Sequence, residues 1–297
     1  MVATVLVIGS TNVDLAVQVE RHPLPGETLA ARSMHSSPGG KGANQALAAR
    51  LNGADVMFAG KVGTDPYADE ALELLRAADV DLALTDAVDG TTGMAFITID
   101  DAGENSIVIV PGANGGWDVA DVDRLRDTID GAKVVLCQGE IPAHVVDAVA
   151  ETCEAIATRF VLNLAPVINV SPTTIRRADP LVVNEHEARL AAGILDLGST
   201  DDDDALLRAI VAAGVPSVVM TRGAASTLVA TAEGLDEVPS RPVEAVDTTG
   251  AGDAFTGAFV ARFAHGMTME DAAQVAAAFA ADTVTRRGAQ ESYRTLG

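Results

Sequence analysis

The segment Asp247-Thr-Thr-Gly-Ala-Gly-Asp253 runs directly into the apolar-rich stretch AFTGAFVARF, the pattern of a glycine turn opening a helix. Gly250 and Gly252 permit a tight turn, which leaves the backbone N–H groups of 250–253 without intrahelical partners. A helix start of this kind binds phosphate through main-chain dipoles and needs no cationic side chain. Asp253 stands at the head of the same helix, where a carboxylate can take the proton of a hydroxyl lying beside the phosphate. Read alone, the same residue is equally a helix cap.

A second glycine turn, Gly39-Gly40-Lys41-Gly42-Ala43-Asn44-Gln45-Ala46, also opens a helical pattern. Here Lys41 and Asn44 accompany the glycines, a set better suited to several hydroxyls than to one phosphate. Asn12 and Asp14, just after the first apolar run, add an amide and a carboxylate for further hydroxyls, although turn formation is the plainer role for both. Asn184-Glu-His-Glu187 follows the run LVV and can organise a hydrated Mg²⁺ or its phosphate, or simply acidify a helix start. The five histidines show no metal-binding spacing, and His186 reads as a surface or packing residue.

Two nucleotide motifs are excluded. Gly42 stands where a Walker loop needs Ser or Thr, and His35 where it needs its first Gly. Gly9-Ser-Thr-Asn lacks the later glycines of a dinucleotide fingerprint, which disfavours a dehydrogenase.

Charge narrows the partners. With 20 basic and 42 acidic side chains the net charge is −22, and only Lys41, Lys61 and Lys133 are lysines. Nonspecific nucleic-acid binding is excluded on that balance. Cys137 and Cys153 cannot form a disulfide framework, and Cys137 reads as a small core residue. No apolar run approaches the ~18 residues of a membrane span, and MVATVLVIGSTNVD lacks the basic region of a signal peptide. The expectation is a cytoplasmic protein.

These residues need a scaffold. Short β-branched runs at Thr4–Gly9, Val56–Ala59, Lys133–Cys137, Arg159–Leu162, Pro180–Val183 and Val215–Met220 alternate with helical patterns near 43–52, 67–78, 118–129, 142–157, 186–193 and 202–213. That rhythm predicts an α/β fold with a mostly parallel sheet covered on both faces. Two Ala-rich helices, 252–265 and 269–285, close the chain. Residues 12–36 and 92–110 break the rhythm with four strands and no helices, which predicts a small antiparallel β lid. Asp201–Asp204 reads as a solvated helix start.

Taken together, Gly9-Ser-Thr-Asn-Val-Asp14, Pro25-Gly-Glu-Thr28, GGKGANQA, Asn184–Glu187, DTTGAGD and Val284-Thr-Arg-Arg-Gly-Ala-Gln290 resemble the ribokinase-like (PfkB) family of sugar and nucleoside kinases. The resemblance covers nearly the whole chain in order, and GGKGANQA with Asn12 and Asp14 points to ribose as acceptor. It implies a three-layer α/β/α kinase domain over 1–297, with lid segments 12–39 and 92–111. It further implies Asp253 as catalytic base and Gly250, Ala251 and Gly252 as an anion hole. Asn12, Asp14, Gly40, Lys41, Asn44 and Glu140 would contact the sugar. Asn184 and Glu187 would handle phosphate and Mg²⁺, with Thr221 and Gly223 near ATP. Asp247, Thr249, Thr283, Arg286, Gly288 and Ser292 would hold K⁺, several through carbonyls. A homodimer formed through the lid is also implied.

Two departures accompany the match. Leu164 stands where the family usually has Pro, and Gly139 lies beside Glu140. The lid strands carry a single aromatic residue, Phe96, which favours a bare sugar over a stacked base. A kinase for another sugar or a nucleoside, and a non-catalytic sensor, are the competing readings.

Overall fold

The computed structural model describes residues 4–295; Met1–Ala3, part of the stretch read above for a leader, lie outside them. The first half runs β1 (Thr4–Ile8), β2 (Asn12–Gln18), β3 (Ser33–Gly39), α1 (Lys41–Leu51), β4 (Asp55–Ala59), β5 (Lys61–Gly63), α2 (Tyr67–Ala71) and α3 (Glu73–Ala77). It continues through β6 (Asp86–Val88), β7 (Gly93–Ile99), β8 (Asn105–Val110), a 3₁₀ turn at Gly112–Gly116, α4 (Val119–Arg124) and α5 (Arg126–Gly131). Then come β9 (Val134–Gln138), α6 (Ala143–Ile156), β10 (Arg159–Asn163), α7 (Pro172–Arg177), β11 (Leu181–Asn184) and α8 (Glu185–Ile194). The last part holds α9 (Asp203–Ala212), β12 (Ser217–Thr221), β13 (Ser226–Thr231), β14 (Leu235–Pro239), α10 (Ala251–Ala264), α11 (Met269–Thr283) and a 3₁₀ turn at Gln290–Ser292.

Eight strands form the central sheet in the order β14-β13-β12-β11-β10-β9-β1-β4. Pairing is parallel from β4 to β12 and antiparallel only at β13 and β14. The pleat sends alternate residues to opposite faces, so both faces of the strands are apolar. Leu6 and Ile8 of β1 enter a core with Val145, Val149 and Leu206. Val5 and Val7 enter the other core, with Leu47, Phe259 and Phe279. Three layers result, with α1, α10 and α11 on one face and α6, α8 and α9 on the other.

A second sheet, β3-β2-β7-β8, stands apart from this body. Each hairpin is antiparallel as expected, and the two are joined by a parallel pair, β2 with β7. Both joining strands leave the body at one point, where Asn12 pairs with Gly39 on one side and Gly93 on the other. Every residue of β8 is exposed, Ile107 and Val108 included.

Some elements were not expected. β13 and β14 extend the main sheet as a hairpin, and β5 pairs with β6 in a separate parallel ribbon. The helical patterns at 67–78 and 118–129 each break in two, at Leu72 and Leu125. Asp202 caps α9 by accepting from Ala205 N, in keeping with a solvated start at Asp201–Asp204. Among the described residues no helix is long and apolar enough to cross a membrane.

Candidate active site

Helix α10 begins without a side-chain cap at Gly250, whose φ of 73° suits glycine. A Cβ there would fall 2.7 Å from the Ala289 Cβ and 2.9 Å from the Tyr293 Oη. Tyr293 instead donates its hydroxyl to the Gly250 carbonyl at 2.8 Å, fixing the turn from behind. The Ala251 N–H closes the turn onto the Thr248 carbonyl at a long 3.2 Å. Thr248, Gly250, Ala251, Gly252 and Asp253 line a cavity of about 260 Å³, which Lys41, Asn184 and Glu187 also line.

Asp253 is 5% exposed, and both its oxygens are held by amides from α1. Asn44 Nδ2 donates to one at 2.9 Å and Gln45 Nε2 to the other at 2.8 Å. The helices meet closely enough for this because Gly257 faces α1, where a Cβ would lie 2.3 Å from the Gln45 carbonyl oxygen. Gln290 Nε2 donates to Asn44 Oδ1 at 2.9 Å, which orients that amide in turn.

The α1 start faces the other side of Asp253. Gly40 has a φ of 87°, and a Cβ on it would strike the Asn12 backbone nitrogen at 2.8 Å. Glu140 accepts from Ser10 Oγ at 2.6 Å and from Lys41 N at 2.9 Å, tying the β1 loop to α1. Gly139 is required beside it, because a Cβ there would lie 1.8 Å from the Pro166 oxygen. That close approach accounts for the departure seen in the sequence.

Asp14 is pushed up to about 7, first by burial and then by the charges of Glu140 and Asp253, against the pull of Lys41. The Lys41 ammonium is raised, chiefly by Asp253, with Glu140, Glu187 and Asp14 outweighing its burial. One cation therefore sits among four carboxyl groups. Asn12 Oδ1 accepts from Asn114 Nδ2 at 2.8 Å. With Asn114, Glu140 and the lid residue Ile109, Asn12 lines a cavity of about 300 Å³.

On the far side of α10, Asn184 and Glu187 form a reciprocal capping box on α8 while still lining the first cavity. The helix-start reading of this motif is therefore seen directly, beside a place on the cavity wall. Burial raises the Glu187 carboxyl above its usual range, opposed by the Asn184 backbone hydrogen bond and by Lys41. Thr221 and Gly223 line an adjoining, mostly apolar cavity of about 440 Å³ with Val243, Phe255, Ala280 and Val284. The two cavities share Thr221, Thr248, Ala251 and Gly252.

Asp247 lies behind the α10 turn. It accepts from Thr249 N and Gly288 N, both at 2.9 Å. Burial would raise its carboxyl, and these bonds prevail, holding it below the ordinary value. Arg286 donates Nε to the Ser292 carbonyl and its N–H to the Thr283 carbonyl, so these residues join one loop cluster. The Thr283 hydroxyl bonds back to Ala280 within its own helix. Among the described residues no group of three or more His, Cys, Asp or Glu is placed to hold a metal ion.

Sequence reasoning missed Gln45, Asn114, Gln138, Asn163 and Gln290. All five are buried amides whose partners lie far away along the chain, as with Gln45 and Asp253, 208 residues apart. Lys61 was also unassigned. Its buried ammonium reaches Asp121 at 2.6 Å and the Gly116 carbonyl at 3.0 Å, fixing the 3₁₀ turn that carries Asn114.

Residues 2–296 match the model of the pfkB family carbohydrate kinases. A ribokinase of Staphylococcus aureus (strain COL) is 36% identical over 299 residues, covering 100% of this chain and 98% of that protein. A deoxyribokinase of Salmonella typhi is 33% identical, with 98% and 96% coverage. The structure of Arabidopsis thaliana ribokinase complexed with ribose and ATP superimposes with a TM-score of 0.91 at 29% identity, covering 99% of this chain and 96% of that one. The chain belongs to the pfkB family. It is an ATP-dependent carbohydrate kinase with the ribokinase-like fold.

Proposed function

We propose that this kinase transfers the γ-phosphoryl group of ATP to the 5-hydroxyl of D-ribose. The observation that carries the reading is Asp253, a buried carboxylate at the head of α10 with both oxygens fixed by amides beside an uncapped helix start. The hydroxyl oxygen attacks phosphorus, the bond to the bridging oxygen of ADP breaks, and Asp253 takes the proton. A loose transition state asks mainly for positioning and charge stabilisation, so an ordinary carboxylate suffices. The N–H groups of 250–252, of which that of Ala251 is shared with the Thr248 carbonyl, face the charge that develops on the phosphoryl oxygens.

Asn12, Asp14, Gly40, Lys41, Asn44 and Glu140 supply the donors and acceptors a polyhydroxylated sugar needs, and two relatives at 33–36% identity are ribose and deoxyribose kinases by name. Asn184, Thr221, Gly223 and Gly252 border the cavities that accommodate ATP, the apolar one suiting the base. Glu187, bordering the phosphate cavity, and Asn184 fit a hydrated Mg²⁺, which when bound neutralises phosphate charge. Asp247, Thr249, Thr283, Arg286, Gly288 and Ser292 form the loop cluster suited to K⁺, with Asp247 supplying a carboxylate at the α10 turn. The chain acts as one kinase domain, with 12–39 and 92–111 as a lid that excludes water from the transferring group. Exposed apolar residues on β8 support pairing of two lids in a homodimer.

The test is ADP release with ribose, deoxyribose, fructose and adenosine, each with and without K⁺. Ribose should give the highest kcat/KM, with K⁺ raising turnover. A better rate with another acceptor would replace ribose, and sugar binding without ADP release would make the chain a sensor. Equal turnover across a K⁺ titration would remove the cation site.

A further inference from the structure

Behind Asp253 lies a chain of buried amides, of which Asn163 also borders the 260 Å³ cavity while Gln45 and Gln138 border none of the cavities described. Gln45 is fully buried and donates both its N–H bonds, one to Asp253 Oδ1 and one to Asn163 Oδ1, each at 2.8 Å. Its own oxygen accepts from Gln138 Nε2 at 2.9 Å. Asn163 is fixed the same way, because its Nδ2 donates to the Val182 carbonyl at 3.0 Å. A flipped Gln45 would set its oxygen against a carboxylate and a carbonyl, and its NH₂ against another NH₂. Asn163, anchored on β11, thus forces the orientation of Gln45, and Gln45 forces that of Gln138, whose own oxygen has no hydrogen-bond partner among the described residues.

We infer that Gln45 is the positioning residue of the phosphoryl transfer, locking the rotamer of Asp253 so that one carboxylate lone pair stays aimed into the cavity. Asn44 alone does not lock it. Asn44 borders the sugar side and is bonded through Gln290, so its geometry answers to the C-terminal turn, whereas Gln45 is anchored to two strands of the central sheet. A carboxylate held by one donor can swing about its χ angles, and a displacement near 1 Å is enough to cost about 100-fold in rate. Gln45 lines none of the three cavities described; its whole effect passes through Asp253. The inference rests on Asp253 being the base.

The experiment is a double-mutant cycle on the full chain, assayed by ADP release with the best acceptor of the panel. Gln45→Met keeps the length and apolar packing of the side chain and removes both donors. It should lower kcat about 10–100-fold with the sugar KM changed less than about threefold. In an Asp253→Ala background, which should itself lose about 10²–10⁴-fold, the same change should cost less than about twofold. Gln138→Met, one link further back, should give a smaller loss of kcat in the same direction, and it serves alone if Gln45→Met does not fold. Near-normal kcat in either folded single variant, or equal fold-losses in both backgrounds, would overturn the positioning role. Near-normal turnover of Asp253→Ala would instead overturn the base assignment, a separate outcome.

Discussion

Helices α1 and α10 begin differently from α8, α9 and α11. The latter three carry side-chain caps, from Asn184, Asp202 and Thr268 respectively, so their first N–H groups are already partly satisfied. The former two begin at Gly40 and Gly250 with positive φ and no side-chain cap, the first buried and the second partly open, with Gly252 exposed. At α1 the first N–H groups are met from other elements, Lys41 N by Glu140 and Gly42 N by Ser10 Oγ, whereas the less satisfied start of α10 is the one suited to a ligand. Helix α8 shows the intermediate case. It borders the same cavity with its start filled by its own side chains, and therefore presents a carboxyl group rather than bare N–H dipoles.

The largest way to break this contrast is Gly250→Ala. The added methyl meets Ala289 and Tyr293 below 3 Å and imposes an unfavourable φ. Turnover should fall about 100-fold or more, the scale of losing one anion-hole donor. Initial-rate kinetics at saturating sugar and ATP check this, and a rate within threefold of wild type would deny the turn a role in catalysis.

The two uncapped starts also differ in their carboxyl groups, since Glu140 and Asp14 stand by α1 and Asp253 and Glu187 by α10. Asp14 keeps its proton up to about pH 7, whereas the sugar hydroxyls are best met by its ionised form. Below about pH 7 the sugar KM should therefore climb by up to about tenfold per pH unit, and above about pH 8 it should level off. The same titration acts on stability. A carboxyl raised in the fold stabilises it most at low pH, and this share is lost as pH rises through about 7. Sugar KM measured from pH 5.5 to 8.5 tests the first effect, and a flat profile would contradict it.

The smallest effect belongs to the capped class. Asp202→Ala should cost about 1 kcal/mol of stability with turnover unchanged. Urea denaturation and a single rate measurement decide it, and any loss of activity would blur the distinction between the two kinds of start.

The glycine starts were legible in the sequence because a turn and the helix it opens are contiguous, and Gly250–Asp253 announces both within four residues. The central strands were legible for a similar reason, as β-branched runs spaced by helical patterns. The hairpin β13–β14 escaped notice because it breaks the crossover rhythm late in the chain, after the parallel strands are complete. Gln45, Gln138 and Asn163 were illegible for another reason. Each sits in a buried, mainly apolar element, and only the packing of α1 on α10 and the pairing of β9 with β10 brings them together. No local spacing records such a meeting. Asn184 and Glu187 show the converse, a local motif whose capping and cavity-lining roles coincide.

The segment from Gly288 to Tyr293 bears on how the site comes into being during synthesis. Gly288 holds Asp247, Gln290 holds Asn44, and Tyr293 holds Gly250. A growing chain makes all the cavity-lining side chains before it makes these three fastenings. At about 5–20 residues per second, the stretch that separates Asp253 from Tyr293 takes a few seconds to emerge. Through that interval the turn at Gly250 and the Asn44 amide lack their final supports. The supports of the site are thus the last of its parts to be made.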